Sequence, residues 1–136
     1  IVDDEGEKLL RITKEALEAG IKAAQPGNTV GHIGAAISEV VDKSGFSLAE
    51  DLSGHGVGHQ IHEDPYVPNI GIAGEGEVLV PGLVIAIEPM VNTGGPGIKL
   101  LSDGYTIKTR DGSRSAHFEH TVAITEKGNI ILTSND

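Results

Sequence analysis

The richest concentration of reactive side chains in this sequence is Gly54-His55-Gly56-Val57-Gly58-His59-Gln60-Ile61-His62-Glu63-Asp64-Pro65, where three histidines lie beside two acids. Imidazole with carboxylate is a donor set for Mn, Fe, Co or Zn, not for a soft thiolate metal. The glycines flanking His55 leave no side chain between the backbone and whatever the ring touches. Pro65 holds Asp64 extended and so fixes the direction in which the segment leaves. Two other chemistries are excluded. A zinc-protease helix starting at His62-Glu63 needs a second histidine at position 66, which is Tyr66, and Pro65 would break that helix. The glycine spacing does not match a phosphate loop either. Taken alone, the segment reads equally well as a polar glycine loop whose histidines cap backbone groups or lie in solvent.

A second signal is Ile85-Ala86-Ile87-Glu88-Pro89, an apolar strand that ends in a carboxylate. A buried carboxylate is costly unless it is paired, hydrogen-bonded or bound to a metal, so Glu88 needs a partner. Glu119, within Phe118-Glu119-His120-Thr121-Val122, makes the same demand from another strand. The nearby cations Lys99, Lys108, Arg110 and Arg114 lie in polar, turn-like stretches suited to solvent. Singly, each glutamate reads as a strand-end surface residue. Together with His55, the two glutamates form a set that could converge at the open face of one sheet and grip a divalent ion.

Such a set needs a frame to position it. Over residues 4–24, Leu9, Ile12, Ala16, Leu17, Ile21 and Ala24 recur at three- and four-residue steps, the stripe of an amphipathic helix. Asp4 and Glu7 have capping-box spacing at its start, and Gln25-Pro26-Gly27 stops it. A second helix follows, capped by Asn28 or Thr29, with Val30, Ile33, Ala36, Ile37, Val40 and Val41 facing inward and Gly45 at its close. Gly31 and Gly34 inside that helix predict close packing against another backbone. Thereafter the period becomes strand-like. Residues 83–87, 105–109, 118–125 and 130–132 read as strands, with Asp111-Gly112 and Lys127-Gly128-Asn129 as turns. Along 118–125, Glu119, Thr121 and Ala123 fall on one face. Helices first and an antiparallel sheet second make an α+β arrangement.

Composition bounds the rest. A chain of 136 residues with one run of helices and one of strands is a single domain, residues 1–136. A net charge of −10 repels phosphate backbones, so nucleic acid is not the expected partner. No apolar stretch approaches the roughly 20 residues that a membrane helix requires. With no cysteine present, any metal is held by His, Asp or Glu. The chain begins Ile1-Val2-Asp3-Asp4, without a methionine or a basic, apolar leader, and so reads as a fragment.

Three segments resemble the last three signature motifs of type I methionine aminopeptidases: the stretch from His55 to His62, Ile87-Glu88-Pro89-Met90-Val91-Asn92, and Phe118-Glu119-His120-Thr121. Their order and separations fit that family, and the likeness runs over essentially the whole chain, including the paired helices, Asp103-Gly104-Tyr105-Thr106 and Ser113-Arg114-Ser115-Ala116. Prolidases and proline-specific aminopeptidases share the fold and the metal ligands. Met90 after Glu-Pro, where that branch usually has glycine, favours the methionine enzymes.

The resemblance implies the C-terminal half of a pita-bread fold, two N-terminal helices packed on a curved antiparallel sheet. It implies His55, Glu88 and Glu119 as metal ligands, Glu119 bridging, and His62 as the histidine that contacts the substrate near the scissile amide. Glu88 and His62 are the expected catalytic residues, Glu88 relaying a proton and His62 stabilising developing charge. His59 stands where many relatives carry arginine and receives no role. The implied cofactors are divalent ions, Co, Mn, Fe or Zn. Relatives place two in the site, with two aspartates and a further substrate-binding histidine contributed by residues upstream of the helix pair. This chain starts after them, so it is expected to hold at most one ion, weakly, and to be inactive alone. The expected substrate is the N-terminal methionine of peptides or nascent proteins, in the cytoplasm. A separate N-terminal half or self-association could complete the site. The rival readings are a prolidase-like fragment and a non-catalytic peptide-binding half-domain.

Overall fold

A computed structural model describes residues 2–135 of the chain. Helices α1 (Asp4–Ala23) and α2 (Val30–Ser44) come first, where the apolar spacing places them. The cap of α1 is Asp3 and not the expected Asp4, because Asp3 is the last extended residue and its carboxylate accepts from the Gly6 amide at 3.0 Å. Both terminal nitrogens of Arg114 donate to the same carboxylate. An arginine expected in solvent therefore ties the start of α1 to a segment 111 residues away. Thr29, not Asn28, caps α2, its amide donating to Nδ1 of His32 at 3.0 Å. Asn28 instead donates its side-chain amide to the Ala23 carbonyl. Gly45, at φ 81°, closes α2 in the left-handed conformation that suits glycine.

Among the described residues ten short strands follow: β1 (Ser47–Leu48), β2 (Gly54–Gly56), β3 (Glu63–Val67), β4 (Val84–Ile87), β5 (Met90–Asn92), β6 (Ile98–Leu100), β7 (Ile107–Thr109), β8 (Ser115–His117), β9 (His120–Thr125) and β10 (Gly128–Ile131). They form a five-stranded sheet in the order β10-β9-β4-β2-β3, a three-stranded sheet β1-β5-β8 and a hairpin β6-β7, with antiparallel pairing throughout. The strand expected over 105–109 begins only at Ile107. The Asp103 carboxylate accepts the Tyr105 and Thr106 amides and holds those two residues in the turn.

Both helices pack on one side of the sheets. Ile85, Ile87, Val91, Val122 and Ile124 join Ile12, Leu17 and Ile21 of α1 and Ile33, Ile37 and Val41 of α2 in one buried cluster. The layers meet at Gly20, where a Cβ would stand 2.9 Å from Ile37 and 3.2 Å from Ile87. No helix among the described residues is long and apolar enough to cross a membrane.

The connection between β3 and β4 docks on the start of α2. Val30 and Gly31 donate their amides to the carbonyls of Glu77 and Glu75, at 2.9 and 3.0 Å. Gly74 donates to His32 Nδ1 at 3.2 Å. The first amides of a helix have no partner within it, and here the loop supplies them. The approach is close because Gly31 and Gly34 lack side chains: a Cβ on Gly31 would lie 2.1 Å from the Ile72 carbonyl oxygen.

Two consequences are measurable. Gly31→Ala forces that contact apart and lowers stability by about 1–3 kcal/mol in urea denaturation; an unchanged midpoint would mean the loop is not seated there. Arg114, through its hydrogen bond, and the Gly6 amide hold the Asp3 carboxyl at about 2, below its usual 3.8. A depressed folded-state value contributes stability above the unfolded carboxyl's range and loses it as pH falls from about 4 toward 2. Wild type therefore melts above Asp3→Asn at neutral pH, and the two converge through that window. Parallel melting curves down to pH 2 would show the pair to be inert.

Candidate metal centre

The sheet register determines where the two glutamates stand. Ile87 pairs with His120 at the end of β4, and Met90 pairs with His117 at the start of β5. The register is the same on both sides of the gap, so Glu88 falls opposite Glu119 and Pro89 opposite Phe118. Pro89 has no N–H to give, which is why the ladder breaks there. Directly opposed residues of an antiparallel pair share a face, with Cβ atoms about 4.5–5.5 Å apart, and like charges in that relation repel. His55 pairs with Ala86, which places its ring diagonal to Glu88 on that face. One donor atom from each of His55, Glu88 and Glu119 lies within 4.8 Å of the other two. The core isoleucines Ile85 and Ile87 alternate onto the opposite, helix-covered face.

His55 is not in a loop. It is the middle residue of β2, an inner strand, and its flanking glycines answer to the neighbouring strands. A Cβ on Gly54 would meet the Ala86 carbonyl oxygen at 2.2 Å, and one on Gly56 would meet that of Asp64 at 2.0 Å. Nδ1 of His55 lies 2.9 Å from the Gly56 carbonyl, which can only accept, so Nδ1 donates there and Nε2 is the nitrogen turned toward the glutamates. That Nε2 faces Glu88 Oε1 at 3.0 Å, with both side chains mostly buried. An imidazole nitrogen and a carboxylate oxygen at that separation can share a cation between them. The donor set of one imidazole and two carboxylates, with Nδ1–H anchored on a carbonyl, fits a divalent first-row ion.

His62 lies against His55 with ring centroids 4.3 Å apart and ring planes tilted by 59°, and it is exposed. His59 is exposed and stands apart from the three convergent donors. The sequence reading missed His117. Its Nε2 is 3.1 Å from Glu88 Oε2 and 3.9 Å from Glu119 Oε2. The hydrogen bond to Glu88 pushes its pKa up, opposed by burial and reinforced by the charges of Glu88 and Glu119. Glu88 thus lies between two imidazoles, one on each oxygen. The available signal was the period of two, since His117 precedes Glu119 by two residues and shares its face.

The sequence profile of metallopeptidase family M24 matches residues 1–126. Methionine aminopeptidase 1 of Bacillus subtilis is 47% identical over 132 residues, which cover 97% of this chain and 53% of that protein. Methionine aminopeptidase of Aquifex aeolicus is 50% identical over 131 residues, covering 95% of this chain and 51% of its own length. The crystal structure of methionine aminopeptidase from Thermotoga maritima superposes with a TM-score of 0.94 at 48% identity, over 98% of this chain and 53% of that one. The chain spans about half the length of the curated relatives it matches.

The opposed carboxylates predict two effects of opposite sign. Without metal, Glu119→Gln relieves the repulsion and raises the melting temperature. With Mn²⁺ or Co²⁺ added, the variant loses the stabilisation that the ion gives wild type, its affinity falling by at least the roughly 10–100-fold typical of a lost outer-shell partner. Calorimetric titration and melting in EDTA check both. Equal ion affinity in the two proteins would remove Glu119 from the site.

Proposed function

The chain belongs to metallopeptidase family M24, and from that premise we propose that residues 1–136 form the C-terminal part of a methionine aminopeptidase catalytic domain. Its substrate is the N-terminal methionine of peptides and nascent proteins, in the cytoplasm. The observation that carries this reading is the meeting of His55, Glu88 and Glu119 on one sheet face, in a chain 45–50% identical to proteins named methionine aminopeptidase.

On this reading His55, Glu88 and Glu119 hold a divalent ion, Co, Mn, Fe or Zn, which supplies Lewis acidity toward the scissile amide. His55 offers Nε2 because Nδ1 donates to the Gly56 carbonyl. Glu88 and Glu119 together balance the ion's charge. As a water attacks the scissile carbonyl, Glu88 would take the proton that water loses and pass it to the leaving amine, and its contact with His117 gives that proton a second resting place. His62, exposed beside His55, donates to the amide oxygen as negative charge develops there. A two-ion centre needs further carboxylates to bridge the ions and screen their repulsion. Those ligands would come from outside residues 1–136.

The test is release of methionine from a Met-Ala-Ser peptide with Mn²⁺ present. The purified chain alone is expected to give no release above buffer, and release is expected once the N-terminal half of the Thermotoga maritima relative is added. In the combined enzyme, His62→Ala lowers kcat by about 10²–10³. Turnover by the chain alone, surviving removal of host enzyme, would overturn the division of the site. Faster cleavage of Ala-Pro than of Met-Ala would point to a prolidase.

A further inference from the structure

Glu88 occupies an awkward position. The β4 ladder ends at Ile87 and the β5 ladder starts at Met90. The Glu88 carbonyl, followed by a proline, lies in the gap between them. A carboxylate that must hold a fixed direction is thus borne by the stretch of this strand with least backbone support. One side chain reaches it. Asn69 Nδ2 donates to the Glu88 carbonyl oxygen at 3.1 Å, across 19 residues of sequence.

Asn69 is itself firmly placed. It is 4% exposed and follows β3 at the start of the connection that docks on α2. On that connection a Cβ at Gly34 would meet the Pro68 carbonyl at 2.9 Å and the Gly71 amide at 2.8 Å, so the backbone on either side of Asn69 touches the helix. The chain of support runs from the packed start of α2, through residues 68–71, to the Asn69 amide and on to Glu88. Its Oδ1 is buried and finds no partner among the described residues.

We propose that Asn69 is a positioning residue: its side-chain amide fixes the Glu88 backbone at the break between the two sheets and so aims the Glu88 carboxylate at His55 and Glu119. It does not touch the ion or the substrate. The inference rests on the metal-centre reading of these three residues.

The test follows Co²⁺ binding to the full chain by its visible absorption and by calorimetry, with Asn69→Ala beside Asn92→Ala. Asn92 is the matched control, fully buried, donating to the Gly95 carbonyl and carrying an equally unpaired Oδ1. Asn69→Ala is expected to weaken Co²⁺ binding about 10–100-fold and to alter the absorption bands. Asn92→Ala is expected to lower the melting temperature in EDTA while leaving affinity and spectrum as in wild type. If both variants lose stability alike and bind Co²⁺ like wild type, Asn69 is a structural residue and the proposal falls. Should Asn69→Ala not fold, the wild-type side-chain amide gives the answer by NMR. Its resonance is expected to shift when Zn²⁺ is added, and to stay fixed in Glu88→Gln; an unshifted amide in metal-loaded wild type overturns the role. Glu88→Gln also separates the two readings. If it binds Co²⁺ as tightly as wild type, the metal centre itself is wrong and the positioning role goes with it.

Discussion

Two like charges held face to face are the constraint from which the rest of this structure follows. Glu88 and Glu119 oppose each other in one antiparallel register, and their repulsion must be met by a cation or by the neighbouring imidazoles His55 and His117. In a strand the face alternates with every residue, so a slip of one position would turn the slipped strand's carboxylate toward the helices and bring its buried apolar residues to the open side. The register is held from behind. Ile85, Ile87, Val122 and Ile124 bury themselves against α1 and α2, and only the observed pairing keeps them there.

The same economy of space explains the glycines. Gly54 and Gly56 let an inner strand sit between two others while its one side chain, His55, points to the site. Gly31 and Gly34 let the connection after β3 lie directly on α2, where its carbonyls take up the helix's first amides. The helix start and the His55, Glu88 and Glu119 cluster are therefore joined through one docked connection, although they are distant in sequence. Arg114 plays a comparable part at the other end of α1, closing a long loop of chain onto the Asp3 cap.

Much of this was legible in the residues alone. The two helices, their order and the strand that ends at Glu88 follow from periodicity and caps, because burial against any apolar surface requires that spacing. The family resemblance named His55, Glu88, Glu119 and His62 by position. Other features left little trace. A three-residue strand of Gly-His-Gly has no period to detect and looks like a loop, since its identity as a strand depends on β3 and β4 pairing on either side. His117 gives little signal because the visible alternation begins at Phe118, one residue after it. Arg114 looked solvated because its partner lies at the opposite end of the chain. Asn69 gives no signal at all, since its importance lies in a carbonyl that it reaches across 19 residues.

By itself, then, the sequence determined the inventory: which side chains carry lone pairs, which segments are helical, which strand ends in a charge, and that no thiol takes part. These are local properties, dictated by residue type and by spacing within a few positions. Tertiary structure decided the relations: that the glutamates stand opposite one another, that His55 turns Nε2 toward Glu88, that a second imidazole backs Glu88, and that an asparagine donates to its backbone carbonyl. Each of these depends on the register between strands, and register is set by the whole core at once and by no single stretch of chain.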